Sequence, residues 1–308
     1  MSAEIIVACR YETPRNLRRT LENIRRTMRK DDHITVVLDG PHPLIYSGGY
    51  SYIAPFSEPR GPGQCRDYAI GNSTADIVVL VDGHMTFPAG WLDTICAHIE
   101  KHPKDVTCCR MRGLGQEWEP LAEPIYHGCY LTLKHQHPSM KNWWICSRWN
   151  SGPPMEKGVT GGIMGACYGL RRDWYEAMGR PLAILEAWGG DEESLSVCSW
   201  LMGGRCYLLP PVCGHIWAAK RDRPEPDYRE NWRMRGNHYA LLEALPVPEP
   251  EKTELRRHLD KGNDRSNLVN SWLEPRRDAI ERLKEALNNR KHEWDWLKKK
   301  RIIRNEEK

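Results

Sequence analysis

Asp82-Gly83-His84 sets a carboxylate and an imidazole one residue apart, directly after the aliphatic run Ile77-Val78-Val79-Leu80-Val81. Five apolar residues in succession read as a strand buried on both faces, the usual centre of a parallel sheet. If the backbone stays extended past the strand end, residues 82 and 84 point to the same side. Gly83 between them leaves the approach to a ligand uncrowded. A carboxylate oxygen beside an imidazole nitrogen is a donor pair for a borderline divalent ion such as Mn²⁺. Two later segments carry further reactive side chains. Trp188-Gly189-Gly190-Asp191-Glu192 is a turn whose acids suit the N-terminus of a helix, and Gly214-His215 closes an apolar run.

The elements that must position these residues follow from the flanking patterns. EIIVAC (4–9) is a first strand, followed by Arg10 and Glu12. Thr13 can cap the next helix, with Pro14 in its first turn and Leu17, Leu21 and Ile24 along one face. HITVVL (33–38) is a second strand ending at Asp39, so the unit is a right-handed parallel crossover. A helix then leads into the Asp82 strand, another spans about 91–102, and VTCCRMRGL (106–114) is a further strand. Three βα units with carboxylates at strand ends describe a doubly wound α/β sheet, which binds ligands beyond the carboxyl ends of its strands. Neither G-x-G-x-x-G nor a P-loop is present. Residues 115–160 read as loops and antiparallel strands over the site. Residues 161–179 give a Gly-rich strand, a turn and a helix near Asp173. Residues 191–204 give a helix and 205–217 a last strand. Helices are expected at 228–245, 249–262 and 274–304, with the basic run KKKRIIR fraying at the end.

The composition narrows the class. With 45 basic and 41 acidic residues the net charge is only +4, a mixed surface that counts against a polybasic protein. No apolar run approaches the roughly 20 residues of a membrane helix. The N-terminal residues show no charged leader and apolar h-region, so the expectation is a protein of the cytoplasm, the host's if viral. Its 11 cysteines include no C-x-x-C pair and read as reduced, small core residues. The 13 Trp against 2 Phe leave two readings: Trp filling the core in place of Phe, or Trp stacking on a ligand.

In order, VDGHM, TGGIMGACYGLRRDWYEAMG, WGGDEESL and CGHIW resemble the motifs of GT-A fold glycosyltransferases. The likeness is to the polypeptide N-acetylgalactosaminyltransferases, with the broader family-2 glycosyltransferases behind them, and covers roughly residues 4–217. The resemblance implies a mostly parallel sheet with a smaller antiparallel portion, a UDP-sugar donor, and Mn²⁺ or Mg²⁺ held by Asp82, His84 and His215. It implies Asp39 beside the uridine, Arg10 and Glu12 in the donor site, Arg66 near the nucleotide, and Trp188 and Glu192 lining the sugar and acceptor pocket. The turn departs from the family pattern, reading WGGDEE where those transferases have WGGEN. In inverting family-2 enzymes an acidic pair here supplies the general base, a role open to Asp191 or Glu192. The WGG and Gly-His contexts instead favour retention. Lys220, Arg221 and Arg223, in a Pro-containing stretch after His215, are expected to form a loop closing over the diphosphate. The layout expected is a catalytic domain over 1–217, a loop and helix over the site at 218–250, and a charged helical extension at 251–308.

The acceptor is less legible. Trp-rich loops at 118–149, basic residues at 220–235 and the KKKRIIR run suit a polyanion with flat bases, such as DNA carrying hydroxymethylated bases in a phage. The small net charge argues the other way, and a cytosolic protein or a glycan precursor are the other acceptors. Two competing classes are a nucleotide-sugar-binding module without transfer, and a nucleotidyltransferase. The latter would bring a Gly-rich basic signature that residues 8–16 lack.

Overall fold

Why residue 82 ends up at the centre of the molecule follows from the apolar runs. The computed structural model describes residues 1–10, 12–40, 50–135, 143–154, 157–217, 231–261 and 266–305. Strands β1 (Ala3–Cys9), β2 (His33–Leu38), β3 (Ser51–Ile53) and β4 (Ile77–Asp82) lie parallel in the order β3-β2-β1-β4. Ile5, Ile6, Val7, Val36, Val37 and all of Ile77 to Val81 are wholly buried, as strands covered on both faces require. The crossover helices are α1 (Pro14–Thr27), α2 (Pro62–Asn72) and α3 (Trp91–Lys101). α1 begins as its sequence dictates. The Thr13 hydroxyl accepts the Asn16 amide at 3.2 Å, Pro14 sits in the first turn, and Leu17, Leu21 and Ile24 face the sheet.

Past β4 the sheet becomes mixed. After β5 (Met85–Thr86) and β6 (Asp105–Leu114), the chain forms β7 (Cys129–His135), β8 (Trp143–Trp149), β9 (Val159–Thr160) and β10 (Cys167–Arg171). β10 inserts antiparallel between β4 and β6, with Cys167 opposite Val81 and Tyr168 opposite Cys108. α4 (Arg172–Ala177) and α5 (Asp191–Leu201) lead to β11 (Arg205–Ile216), which pairs parallel with β6 and antiparallel with β5 and β9. The register of β11 shifts between Leu209 and Val212, across Pro210-Pro211. Two prolines offer no ladder donors, so a bulge is the tolerated solution, and it re-aims the Gly214-His215 end.

Among the described residues five α-helices follow: α6 (Asn231–Ala244), α7 (Glu249–Asp260), α8 (Val269–Leu273), α9 (Arg277–Leu287) and α10 (Trp294–Lys299). Their apolar residues, among them Leu255, Leu259, Trp272, Leu283 and Trp294, join the same buried cluster as the sheet. The expectation of continuous helix over 274–304 with a frayed end is wrong. Arg301 turns the chain, and β12 (Ile303–Asn305) pairs parallel with β7, which pairs antiparallel with β8. Burial of Ile302 and Ile303 supplies the reason: two apolar residues in the basic run have a sheet edge to cover.

Candidate active site

The carboxyl ends of β1, β2 and β4 open into one cleft. Its walls include Arg10, Glu12, Asp39, Arg66, Asp82, His84, Trp188, Asp191, Glu192 and His215. The structure thus brings together every candidate residue except Arg221, which with Lys220 and Arg223 lies outside the described residues.

At the centre three donor atoms converge. His215 Nε2 lies 3.2 Å from Asp82 Oδ2 and 3.1 Å from His84 Nε2, and His84 Nε2 lies 3.8 Å from Asp82 Oδ2. Behind them, His84 Nδ1 is 2.7 Å from Glu12 Oε2, both groups being buried. A carboxylate only accepts, so Nδ1 carries the proton and the Nε2 lone pair faces His215. Two imidazole nitrogens and a carboxylate oxygen aimed at one point suit a borderline divalent cation, and three protein ligands leave positions for a substrate's oxygens. The Glu12–His84 contact has the form of the outer-shell carboxylate that orients a ligating histidine. Glu12 in turn accepts from Asn16 Nδ2 at 3.3 Å, on the first turn of α1.

Arg66 on α2 organises the acids. It is 2% exposed, donates to Asp82 Oδ1 at 2.8 Å and to Asp191 Oδ2, and lies 5.4 Å from the Tyr168 ring centre. Burial pushes the Asp82 carboxyl up, but the His215 hydrogen bond and the Arg66 charge outweigh it and hold the group well below the usual carboxylate range. Asp39 faces the cleft, yet its carboxylate is engaged by backbone. It accepts from Arg60 N at 2.6 Å and from Gly61 N at 3.0 Å, fixing the start of α2 to the end of β2.

Glu192 sits against the small sheet. Its carboxylate accepts from Ser147 Oγ, from Trp149 Nε1 at 3.2 Å and from Gly165 N at 2.7 Å. Burial, and then the charges of Glu193 and Asp191, push its pKa up to about 8. The turn before it is unusual. Ala187, Gly189 and Gly190 all have positive φ, at 54°, 93° and 95°. The two glycines adopt this conformation readily, which lets Gly190 cap α5 two residues after the exposed Trp188.

Sequence reasoning missed what holds that turn. Asn237 on α6 donates to the Gly189 carbonyl at 2.7 Å and accepts from the Glu186 amide at 2.8 Å. Arg276, just before α9, donates to Asn237 Oδ1 at 3.1 Å and to Glu186 Oε2 at 3.2 Å. Also unforeseen are Tyr168 under Arg66, and Trp217, which meets Trp149 edge-on at 5.3 Å across the cleft wall. The Trp excess was a signal for the last pair. Nothing local marks the others.

A doubly wound α/β sheet with a carboxylate-histidine cluster at its strand ends defines the GT-A class. The fold matches a crystal structure of GalNAc-T7 with UDP, GalNAc and Mn²⁺ at a TM-score of 0.68, with 14% identity over 90% of this chain and 55% of that one. The chain belongs to glycosyltransferase family 2, whose model matches residues 4–179. Polypeptide N-acetylgalactosaminyltransferase 11 of Xenopus tropicalis is 23% identical over 177 residues, 53% of this chain and 28% of that protein. An inactive polypeptide N-acetylgalactosaminyltransferase-like protein 5 of Macaca fascicularis is 25% identical over 169 residues, 50% of this chain and 35% of that protein. The chain therefore matches about a third or less of the length of these relatives.

Proposed function

We propose that the chain transfers a sugar from a UDP-sugar to an acceptor hydroxyl, with Mn²⁺ or Mg²⁺ held by Asp82, His84 and His215. The observation that carries this is the convergence of those three donor atoms in a cleft at the strand ends of a family-2 chain. A divalent ion there supplies Lewis-acid stabilisation of the leaving diphosphate. Glu12 holds His84 in one tautomer, and Arg66 keeps Asp82 ionised and aligns both Asp82 and Asp191. Arg10 and Asp39 take the nucleotide end of the cleft. Trp188, with Trp149 and Trp217, offers flat surface for the sugar and acceptor. Arg221 belongs to the same proposal as a cation near the diphosphate.

Retention accords with the state of the two acids. Asp191 is tied to Arg66, and Glu192 accepts from three donors, so neither carboxylate is poised to take an acceptor proton. The acceptor we favour is a hydroxymethylated base in DNA, with a cytosolic protein or glycan precursor as the other classes. Catalysis is assigned to residues 1–217, with 218–250 over the site and 251–308 as an extension. Work in a reducing cytoplasm fits a chain whose 11 cysteines are all buried. No helix among the described residues is long and apolar enough to cross a membrane. Likeness to an inactive relative keeps a sugar-nucleotide-binding module as the second reading.

The test is UDP release from a panel of UDP-sugars with Mn²⁺, for wild type and Asp82→Ala. Release that needs both metal and Asp82 is the expected result. Binding of UDP-sugar with no release, even with hydroxymethylated DNA added, would move the assignment to the binding module.

A further inference from the structure

The sheet formed by β12, β7 and β8 has two unlike faces. Side chains alternate along each strand, so Leu131, Leu133, Ile145, Ser147 and Trp149 share the inner face, where the last two donate to Glu192. The opposite face carries Tyr130, Thr132, Arg148 and Arg304, with Tyr130 opposite Arg148 and Arg304 opposite Thr132. Together with Lys298 and Arg301 these residues line a groove that holds four cationic side chains and no carboxylate. Lys298 is answered from outside the groove by Glu251 and Asp295, at 2.6 and 2.8 Å. Arg301 and Arg304 are exposed, and among the described residues neither has an ion-pair partner.

Two details set this groove apart from an ordinary solvated helix end. The Arg304 guanidinium lies 4.4 Å from the centre of the Tyr130 ring, making a flat charged platform in the groove. Arg301 occupies the left-handed position that closes α10, with φ at 57°. The Arg301 amide donates to the Lys298 carbonyl at 2.9 Å and the Ile302 amide to the Leu297 carbonyl at 3.0 Å. That is the helix-ending motif in which glycine is the usual residue at the turn. An arginine there costs about 1 kcal/mol relative to glycine, so the chain carries a charge at a position where the backbone asks for none.

We infer that this groove binds nucleic acid, its guanidinium groups taking phosphates and the Tyr130–Arg304 platform taking a base. Guanidinium forks match phosphate oxygens, and base stacking on aromatic and guanidinium planes tolerates sequence. An acidic polypeptide would satisfy the charges but has no flat group for the platform. As a docking place for the acceptor, on the back of the wall that carries Ser147 and Trp149, the groove rests on the nucleic-acid reading above.

The experiment uses the full chain and a fluorescent oligonucleotide of about 12 nucleotides, within the range of single-strand site sizes. Affinity is read by anisotropy as salt is raised from about 50 to about 200 mM. The variant is Arg301→Gly with Arg304→Gln, in which the first change relaxes the backbone, so lost binding cannot be laid to unfolding. The slope of log affinity against log salt is expected to fall by about 1.4, about 0.7 per arginine on a single strand, while UDP-sugar binding is retained. Tight binding by wild type with an unchanged slope in the variant would remove the groove and leave the acceptor reading standing. Equal binding of an oligoglutamate of matched charge would replace nucleic acid by an acidic polypeptide. Absence of any oligonucleotide binding would also overturn the groove. Sugar incorporation into hydroxymethylated DNA, measured separately, judges the acceptor reading on its own.

Discussion

Glu12→Gln isolates the support behind the proposed metal ligands Asp82, His84 and His215. The substitution keeps the shape of the side chain and removes its charge. In the native site Glu12 Oε2 lies 2.7 Å from His84 Nδ1, with both groups buried. A charge-assisted hydrogen bond of this kind contributes about twice as much as a neutral one, a difference of about 1 kcal/mol or more. The amide also leaves the His84 Nε2 lone pair less basic. Loss of such an outer-shell partner lowers metal affinity about 10–100-fold, equivalent to about 1.4–2.7 kcal/mol. The assay is a Mn²⁺ titration followed by calorimetry, with donor-dependent UDP release as a second readout. In chelator the variant should lose about 1–2 kcal/mol, because the amide oxygen can accept from His84 Nδ1 or from Asn16 Nδ2 but not from both, while no cavity forms. An unchanged Mn²⁺ affinity would show that His84 is not a ligand, or that Glu12 does not orient it. Collapse of stability in chelator would show that the contact serves the fold instead.

Gly83→Ala should act in the same direction and more weakly. The added Cβ would stand 3.2 Å from Glu12 Cγ and 3.6 Å from Cys9 Cβ, so the carboxylate must yield by a few tenths of an ångström. A metal affinity equal to wild type in the same titration would count against this. Glu192 gives a pH prediction. Its folded pKa of about 8 stands above the ordinary value of 4.5, so the native state binds the extra proton between those values. Stability contributed by this group is therefore present at acid pH and is lost as pH rises through 8. Urea midpoints from pH 5 to 8.5 should fall in wild type relative to Glu192→Gln, and parallel curves would refute the shift. Asn237→Ala removes the donor to Gly189 and the acceptor for Glu186 and Arg276, all at a buried position. A loss of about 2–3 kcal/mol by urea unfolding is expected, together with weaker sugar-nucleotide binding through the Trp188 turn.

What could be read in advance was whatever the chain writes locally. The cap at Thr13, the buried face of α1 and the Asp82-x-His84 strand end are each set by residues within a few positions of one another. His215 was within reach through the family resemblance, in which a Gly-His after an apolar strand is one of the ordered motifs. Glu12 lay in view as a donor-site candidate, but its contact with a histidine 72 positions away had no local mark. The same holds for Asn237 and Arg276, whose value lies in reaching Gly189 and Glu186, 48 and 90 residues earlier. The end of the chain was misread for a related reason. A basic run with two isoleucines looks like a solvated helix until the uncovered edge of β7 is known.

The pairing of β12 with β7 has a consequence for the order in which the molecule can be made. Ile303 lies opposite Leu131, so one edge of the wall that carries Ser147 and Trp149 to Glu192 stays unpaired until residues 303–305 have left the ribosome. At about 5–20 residues per second, synthesis of β12 trails that of β7 by roughly 10–30 s. During this interval the sheet of β1 to β4 has all its strands, while the outer edge of β7 has no partner. The nascent protein would pass through a stage with the segments that carry Asp82, His84 and His215 already made and an exposed edge on β7, and a chaperone or an early ligand would have its opening there.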